Sequence, residues 1–229
     1  MNKWGSIELM DSVTPLMEMM IFFHDHVMTI LLLILTLVGY VMLSMLFNKN
    51  INRFLLEGQY IEIIWTILPS LILIMIALPS LHLLYVSDEL FNVKYNIKIM
   101  AHQWYWSYTY FNKEIKNCLT FDSYMNSSEN SMNIMFRLLD VNSRLIIPYS
   151  TYMRVMVSSS DVLHSWTIPA LGIKLDATPG RLNQMSFYTT RSSLFFGQCS
   201  EICGTQHSFM PIVMESVSPF IFKKFIIHN

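Results

Sequence analysis

The sequence predicts a two-helix membrane anchor carrying an all-β outer domain, and three observations lead there. The chain of 229 residues is 53% hydrophobic and only 14% charged, well below the roughly one quarter of charged residues usual in soluble domains. Its N-terminal part contains two long runs free of Asp, Glu, Lys and Arg. Beyond Asp88 the texture changes to short β-branched and aromatic stretches divided by Asn, Ser, Pro and Gly, the pattern of a β-sandwich or barrel.

The first run covers residues 27–47, VMTILLLILTLVGYVMLSMLF, and the second lies within residues 63–87, IIWTILPSLILIMIALPSLHLLYVS. A hydrocarbon core roughly 30 Å thick needs about 20 apolar residues in helix, and both runs are long enough. Pro69 and Pro79 interrupt the second, which is tolerable where neighbouring groups satisfy the freed carbonyls. Lys49 and Arg53 lie in the connecting segment, whereas Lys3 is the only basic residue before the first run. Counting Lys and Arg therefore sets the loop, residues 48–62, on the inner side and the segment 1–26 on the outer side. Residues 88–229 form the outer domain, long enough to bury a core of its own. The opening residues do not read as a removed secretory leader. A net charge of −1 points neither to nucleic acid nor to a strongly acidic partner. Eighteen methionines against seven glycines match the coding bias of an AT-rich genome such as that of an organelle.

The chemistry concentrates in GQCSEICGTQHSFMPIV, where Cys199, Cys203, His207 and Met210 follow one another within a single loop. His164, in DVLHSW, follows a strand-like run and precedes Trp166 and Pro169, which places it at a strand end, from where a β-fold can bring it to that loop. Thiolate, imidazole and thioether select soft or borderline ions over Mg²⁺. Zinc would accept Cys199, Cys203, His164 and His207 as a tetrahedron, and a disulfide between the two cysteines is the other alternative. Met210 adds nothing for zinc but serves copper as a weak axial ligand. Two cysteines with two histidines suffice for two copper ions bridged by both thiolates. Cys118 remains over, as a structural or incidental thiol.

HQWYWSYTY, SSSDVLHSWTIPALGIKLDATPGRLNQ and the cysteine loop together resemble subunit 2 of cytochrome c oxidase, of the mitochondrial type, and the resemblance runs through the hairpin as well. It implies a cupredoxin-like Greek-key barrel with a dinuclear copper A centre held by His164, Cys199, Cys203, His207, Met210 and the backbone carbonyl of Glu201. The Glu201 side chain would bind a magnesium ion shared with subunit 1. The family implies a component of a haem–copper terminal oxidase. It would accept electrons from cytochrome c and pass them to haem in subunit 1, where oxygen is reduced. It also implies the mitochondrial inner membrane, with both termini and the copper domain in the intermembrane space. A membrane-tethered copper-delivery module is the reading from another class, but five side-chain ligands suit retention better than exchange.

The aromatic run HQWYWSYTYF reads as a strand with Trp104, Trp106, Tyr108 and Tyr110 on one face, as barrel core or as a membrane-interface belt. The resemblance singles out Trp104 as the point where electrons arrive. It matches Asp122, Asp140 and Asp161 to acidic positions that dock cytochrome c, and Glu62 to the mouth of a proton path in subunit 1. Residues 88–229 nonetheless contain ten Asp plus Glu against twelve Lys plus Arg, and Lys113 and Lys116 fall where relatives are acidic. A shallow salt dependence of docking is expected. His24, His26, His82, His102 and His228 are assigned no ligand role.

Overall fold

The computed structural model describes residues 9–111, 118–126 and 136–228. Lys3, Lys113 and Lys116 lie outside them. The chain divides into two compact units: residues 19–86, and residues 87–229 joined by the segment before residue 19.

In the first unit, α1 (Pro15–Phe47) has 33 residues and α2 (Gln59–Asp88) has 30. At 1.5 Å per residue they reach about 50 and 45 Å, more than a hydrocarbon core requires. Both begin before the charge-free runs do. Helical hydrogen bonding continues through polar residues, whereas an uncharged run marks only what lipid can cover. Thr14 explains the start of α1: its hydroxyl oxygen accepts from the Met17 N–H at 3.1 Å, an N-cap followed by proline at the first helical position. The same hydroxyl donates to the Leu171 carbonyl at 2.6 Å, a bond within the β-rich unit, to which Thr14 belongs. In α2, which contains Pro69 and Pro79 and has no buried residue, the hydroxyls of Thr66 and Ser70 donate to the Glu62 and Thr66 carbonyls.

The second unit is the expected β-sandwich. Its strands are β1 (Tyr95–His102), β2 (Tyr105–Phe111), β3 (Leu119–Ser123), β4 (Leu145–Pro148), β5 (Tyr152–Ser159), β6 (His164–Ile168), β7 (Ile173–Ala177), β8 (Asn183–Tyr188), β9 (Ser193–Gly197) and β10 (Ile212–Val217), followed by α3 (Pro219–His228). One sheet runs β3-β2-β1-β5-β8, a second β4-β10-β9, and β6 with β7 forms a ribbon. Period-two alternation builds the core: Ile97, Ile99 and Ala101 of β1, Trp106, Tyr108 and Tyr110 of β2, and Val155 and Val157 of β5 are all buried. Leu145, Ile147, Ile212 and Met214 come from the second sheet. Large aromatics of this core have their polar tips satisfied, as burial requires. Tyr110 Oη donates to the Ile146 carbonyl at 2.7 Å and Trp166 Nε1 to Tyr108 Oη at 3.4 Å. Trp104 departs from the strand reading. It sits in the turn between β1 and β2, half-buried, and leaves the face shared by Trp106, Tyr108 and Tyr110.

Gly197 decides how closely β9 approaches β6. A methyl group there would lie 1.9 Å from the Thr167 carbonyl oxygen and 3.2 Å from Ile168 Cγ1. Backbone cannot yield as a flexible side chain does, so Gly197→Ala is expected to destabilise the β-rich unit by about 2–3 kcal/mol, the upper part of the overpacking range. The check is the thermal midpoint of near-ultraviolet circular dichroism on the full chain in detergent; an unchanged midpoint would show that the contact relaxes freely.

Candidate metal centre

The soft side chains converge where β6 meets the β9–β10 connection. His164 is the first residue of β6, paired with Ala177. Cys199 and Cys203 follow β9, His207 opens a short 3-10 turn, and Met210 stands just before β10. Pairing of Gly197 with Ile212 closes the loop at its base. The Ser200 N–H donates to the Ser165 carbonyl at 3.0 Å, stitching the loop to the histidine strand. From below, Trp106 Nε1 donates to the Met210 carbonyl at 3.1 Å, so the aromatic run also fixes the loop's far end.

The two thiol sulfurs are 4.0 Å apart. His164 Nδ1 lies 3.9 Å from Cys199 Sγ, and His207 Nδ1 lies 3.5 Å from Cys203 Sγ. Met210 Sδ is 3.6 Å from Cys203 Sγ, while the Glu201 carbonyl oxygen is 3.3 Å from Cys199 Sγ. His164, Cys199 and Cys203 form a group able to hold a metal ion, their donor atoms lying within 4.8 Å of one another. All three are buried, as is Met210, while His207 is half-buried. Two sulfurs facing one another, each with an imidazole nitrogen beside it, supply the soft and borderline donors that a copper site takes. Among the described residues all three cysteines are free, and Cys118 is exposed.

The electrostatics suit cation binding. Burial works against ionisation of Cys199, but hydrogen bonds from His164 and from the backbone around Ser165 and Glu201 outweigh it and lower its pKa. Cys203 is pushed up by burial and by the neighbouring Cys199 charge. The pair therefore holds one negative charge readily and resists a second, which a bound cation would supply the reason to form. His164 loses charge stability to burial, yet the Cys199 sulfur and the Asp161 carboxylate hold its pKa above the ordinary value.

Asp161 is the neighbour that reading the sequence underestimated. Its Oδ1 meets His164 Nε2 at 2.9 Å, which keeps the ring proton on Nε2 and leaves the Nδ1 lone pair for a metal. Its Oδ2 accepts from the Gln103 N–H at 2.7 Å. Burial raises its pKa, but these bonds with those from Val162 and Ser159 win, and it lies below the usual carboxylate value. The three-residue spacing in DVLHSW was the available signal. Gln103 was missed altogether; its Nε2 donates to the Cys203 carbonyl at 2.9 Å. The other acids are spread out. Asp122 is exposed on β3, whereas Asp140 is buried and pairs with Arg144 at 3.6 Å. Glu201 is exposed at the loop tip, and Glu62 lies in the first turn of α2.

Residues 95–217 match the family described as "Cytochrome C oxidase subunit II, periplasmic domain", and residues 2–83 match "Cytochrome C oxidase subunit II, transmembrane domain". The chain is 56% identical to the "Cytochrome c oxidase subunit 2" of Sitophilus granarius over 227 residues, 99% of each chain. It is 54% identical to that of Drosophila melanogaster over 229 residues, 100% of this chain and 99% of the other. Among solved structures, it is similar to the periplasmic domain of subunit II of cytochrome oxidase (CoxB) of Bradyrhizobium japonicum. The TM-score is 0.55 and the identity 36%, covering 61% of this chain and 96% of that one.

Proposed function

This chain belongs to the cytochrome c oxidase subunit II family, and from that premise we propose that its β-rich unit takes electrons one at a time from cytochrome c at a dinuclear copper centre held by His164, Cys199, Cys203, His207, Met210 and the Glu201 carbonyl. It is a component of a haem–copper terminal oxidase in which oxygen is reduced on another subunit. The observation that carries the copper reading is the pair of thiols 4.0 Å apart, each flanked by an imidazole Nδ1. Bound copper supplies a one-electron carrier that the protein alone lacks. The residues do the rest. Both cysteines would hold the copper, Asp161 orients His164, Trp106 anchors the Met210 carbonyl, and burial of the donors excludes water.

Trp104 is the point at which electrons arrive, with Asp122 and Asp161 the nearer of the docking acids. Both carboxylates act on the Tyr105 phenol, behind burial and Tyr124 in size, which supports a shared docking surface beside that ring. Asp140, buried and paired, contributes less to steering. Glu201 turns its carbonyl toward Cys199 and leaves an exposed carboxylate for magnesium shared with subunit 1. Ile202, 83% exposed beside it, suits a loop tip covered by another oxidase subunit. Glu62 marks the mouth of the proton path, and an acid in a first helical turn is also favourable to the helix dipole. The two apolar helices hold the chain in the mitochondrial inner membrane, spanning it within residues 27–47 and 63–87. The termini and the 88–229 domain lie in the intermembrane space.

Copper analysis with electron paramagnetic resonance tests the centre. The full chain in detergent is expected to bind two copper ions, with one unpaired electron shared by both nuclei; zinc at stoichiometric level, or hyperfine splitting from one nucleus, would sink the dinuclear reading. Copper affinity should also rise with pH. The folded metal-free site keeps the Cys203 proton, and His164 is held above its ordinary pKa, so binding releases at least one proton and each unit of pH lowered costs about tenfold or more in affinity. Competition titrations between pH 6 and pH 8 check the sign.

A further inference from the structure

Gly204, the residue after Cys203, has φ of +128°, where side-chain-bearing residues are rarely found. A methyl group on it would lie 3.0 Å from Trp104 Cζ2, 3.3 Å from Trp104 Nε1 and 3.3 Å from Gln103 Nε2. The indole edge therefore lies against bare backbone, one residue from a thiol of the metal centre. Trp104 Nε1 is buried there without a hydrogen-bond partner among the described residues. A buried indole N–H ordinarily finds an acceptor, so this ring is not held by its own polar end. Gln103 supplies the fixation instead. Its carboxamide donates to the Cys203 carbonyl at 2.9 Å, and its N–H donates to Asp161, the partner of His164. The residue preceding the indole is thus bonded to both segments that present ligands.

We propose that Gly204 and Gln103 are positioning residues that seat the Trp104 indole against the Cys203 backbone, setting the gap that an electron crosses between cytochrome c and the copper centre. The inference rests on the role given to Trp104 above. The step is a single-electron transfer: the ferrous haem iron of cytochrome c becomes ferric, the bound copper pair is reduced by one electron, and no bond forms and no proton moves. Such a step depends on a fixed separation, because electron tunnelling weakens with every added fraction of an ångström. Glycine makes contact possible because it adds no atom between ring and chain. Gln103 makes it persist because hydrogen bonds to the ligand loop and to Asp161 hold the turn from both sides.

The test uses the assembled oxidase and the full chain in detergent. Gly204→Ala and Gln103→Ala are expected to leave the copper resonance spectrum and the KM for cytochrome c unchanged while slowing electron transfer in the bound complex about tenfold or more. Because both act through the indole, Gly204→Ala combined with Trp104→Phe should be no slower than Trp104→Phe alone. Additive losses in that cycle would overturn the proposal. So would an altered copper spectrum or failed copper loading in both single variants, since each would place the residues in the service of the ligand loop. An independent readout needs no turnover: with ¹⁵N-indole labelling of the metal-free full chain, the Trp104 Nε1–H should exchange faster with solvent in Gly204→Ala. Unchanged exchange would mean that the methyl does not unseat the ring. If the ring is unseated but Trp104→Phe transfers electrons normally, the role of Trp104 has failed and the seating has not.

Discussion

Cys199→Ser and Cys203→Ser are each expected to abolish the dinuclear copper signal, and electron acceptance from cytochrome c should fall below detection. The sulfurs face one another at 4.0 Å, and each has its own imidazole, so neither can be spared if both bridge. Serine preserves volume and hydrogen bonding but not a soft, readily ionised donor. Resonance spectra and metal content of the purified variants report the outcome. Two conservative comparisons show that the loss is chemical. Met210→Leu should retain copper and shift its potential, because a weak axial ligand disappears while Trp106 still holds the Met210 backbone carbonyl. Cys118→Ser should change neither, since that thiol is exposed. Retention of the dinuclear spectrum by either bridging-cysteine variant would dismantle the ligand set.

Trp104→Phe should slow transfer within the bound complex by at least about tenfold, equivalent to about 1.4 kcal/mol of barrier, while affinity for cytochrome c changes little. The indole lies in a turn, half-buried, so a smaller ring shrinks the contact without emptying the core. Stopped-flow reduction across an ionic-strength series separates the two effects. Binding should show a shallow salt dependence, because residues 88–229 hold twelve Lys plus Arg against ten Asp plus Glu. Asp140 is also occupied by Arg144, and exposed charges act over only about 10 Å at 0.1 M salt. Unchanged transfer in the variant would return Trp104 to a packing role.

The cysteine loop was legible because soft donors are scarce and their spacing is local. Cys199, Cys203, His207 and Met210 occupy one chain segment, so no fold is needed to place them near one another. The Asp161–His164 bond was half legible: its spacing stood in the sequence, but only the turn before β6 aims the carboxylate at Nε2. Trp104 shows the opposite limit. Alternation assigned it to the face of Trp106, Tyr108 and Tyr110, and that rule ends where the strand ends. The turn takes in Trp104, and β2 begins one residue after it, at Tyr105.

The sequence by itself determined the two apolar spans, the β-rich character of the second unit and the soft donors of the candidate centre, because hydrophobic run length, alternation and side-chain chemistry are local properties of the chain. Tertiary structure alone decided that His164 meets a loop 35 residues away, that Gln103 bridges that loop and Asp161, and that two glycines stand against close neighbours. Gly197 lets β9 reach the Thr167 carbonyl, and Gly204 lets an indole lie on the ligand backbone. Close approach depends on what stands opposite in space, and a glycine in a sequence carries no mark of its neighbour.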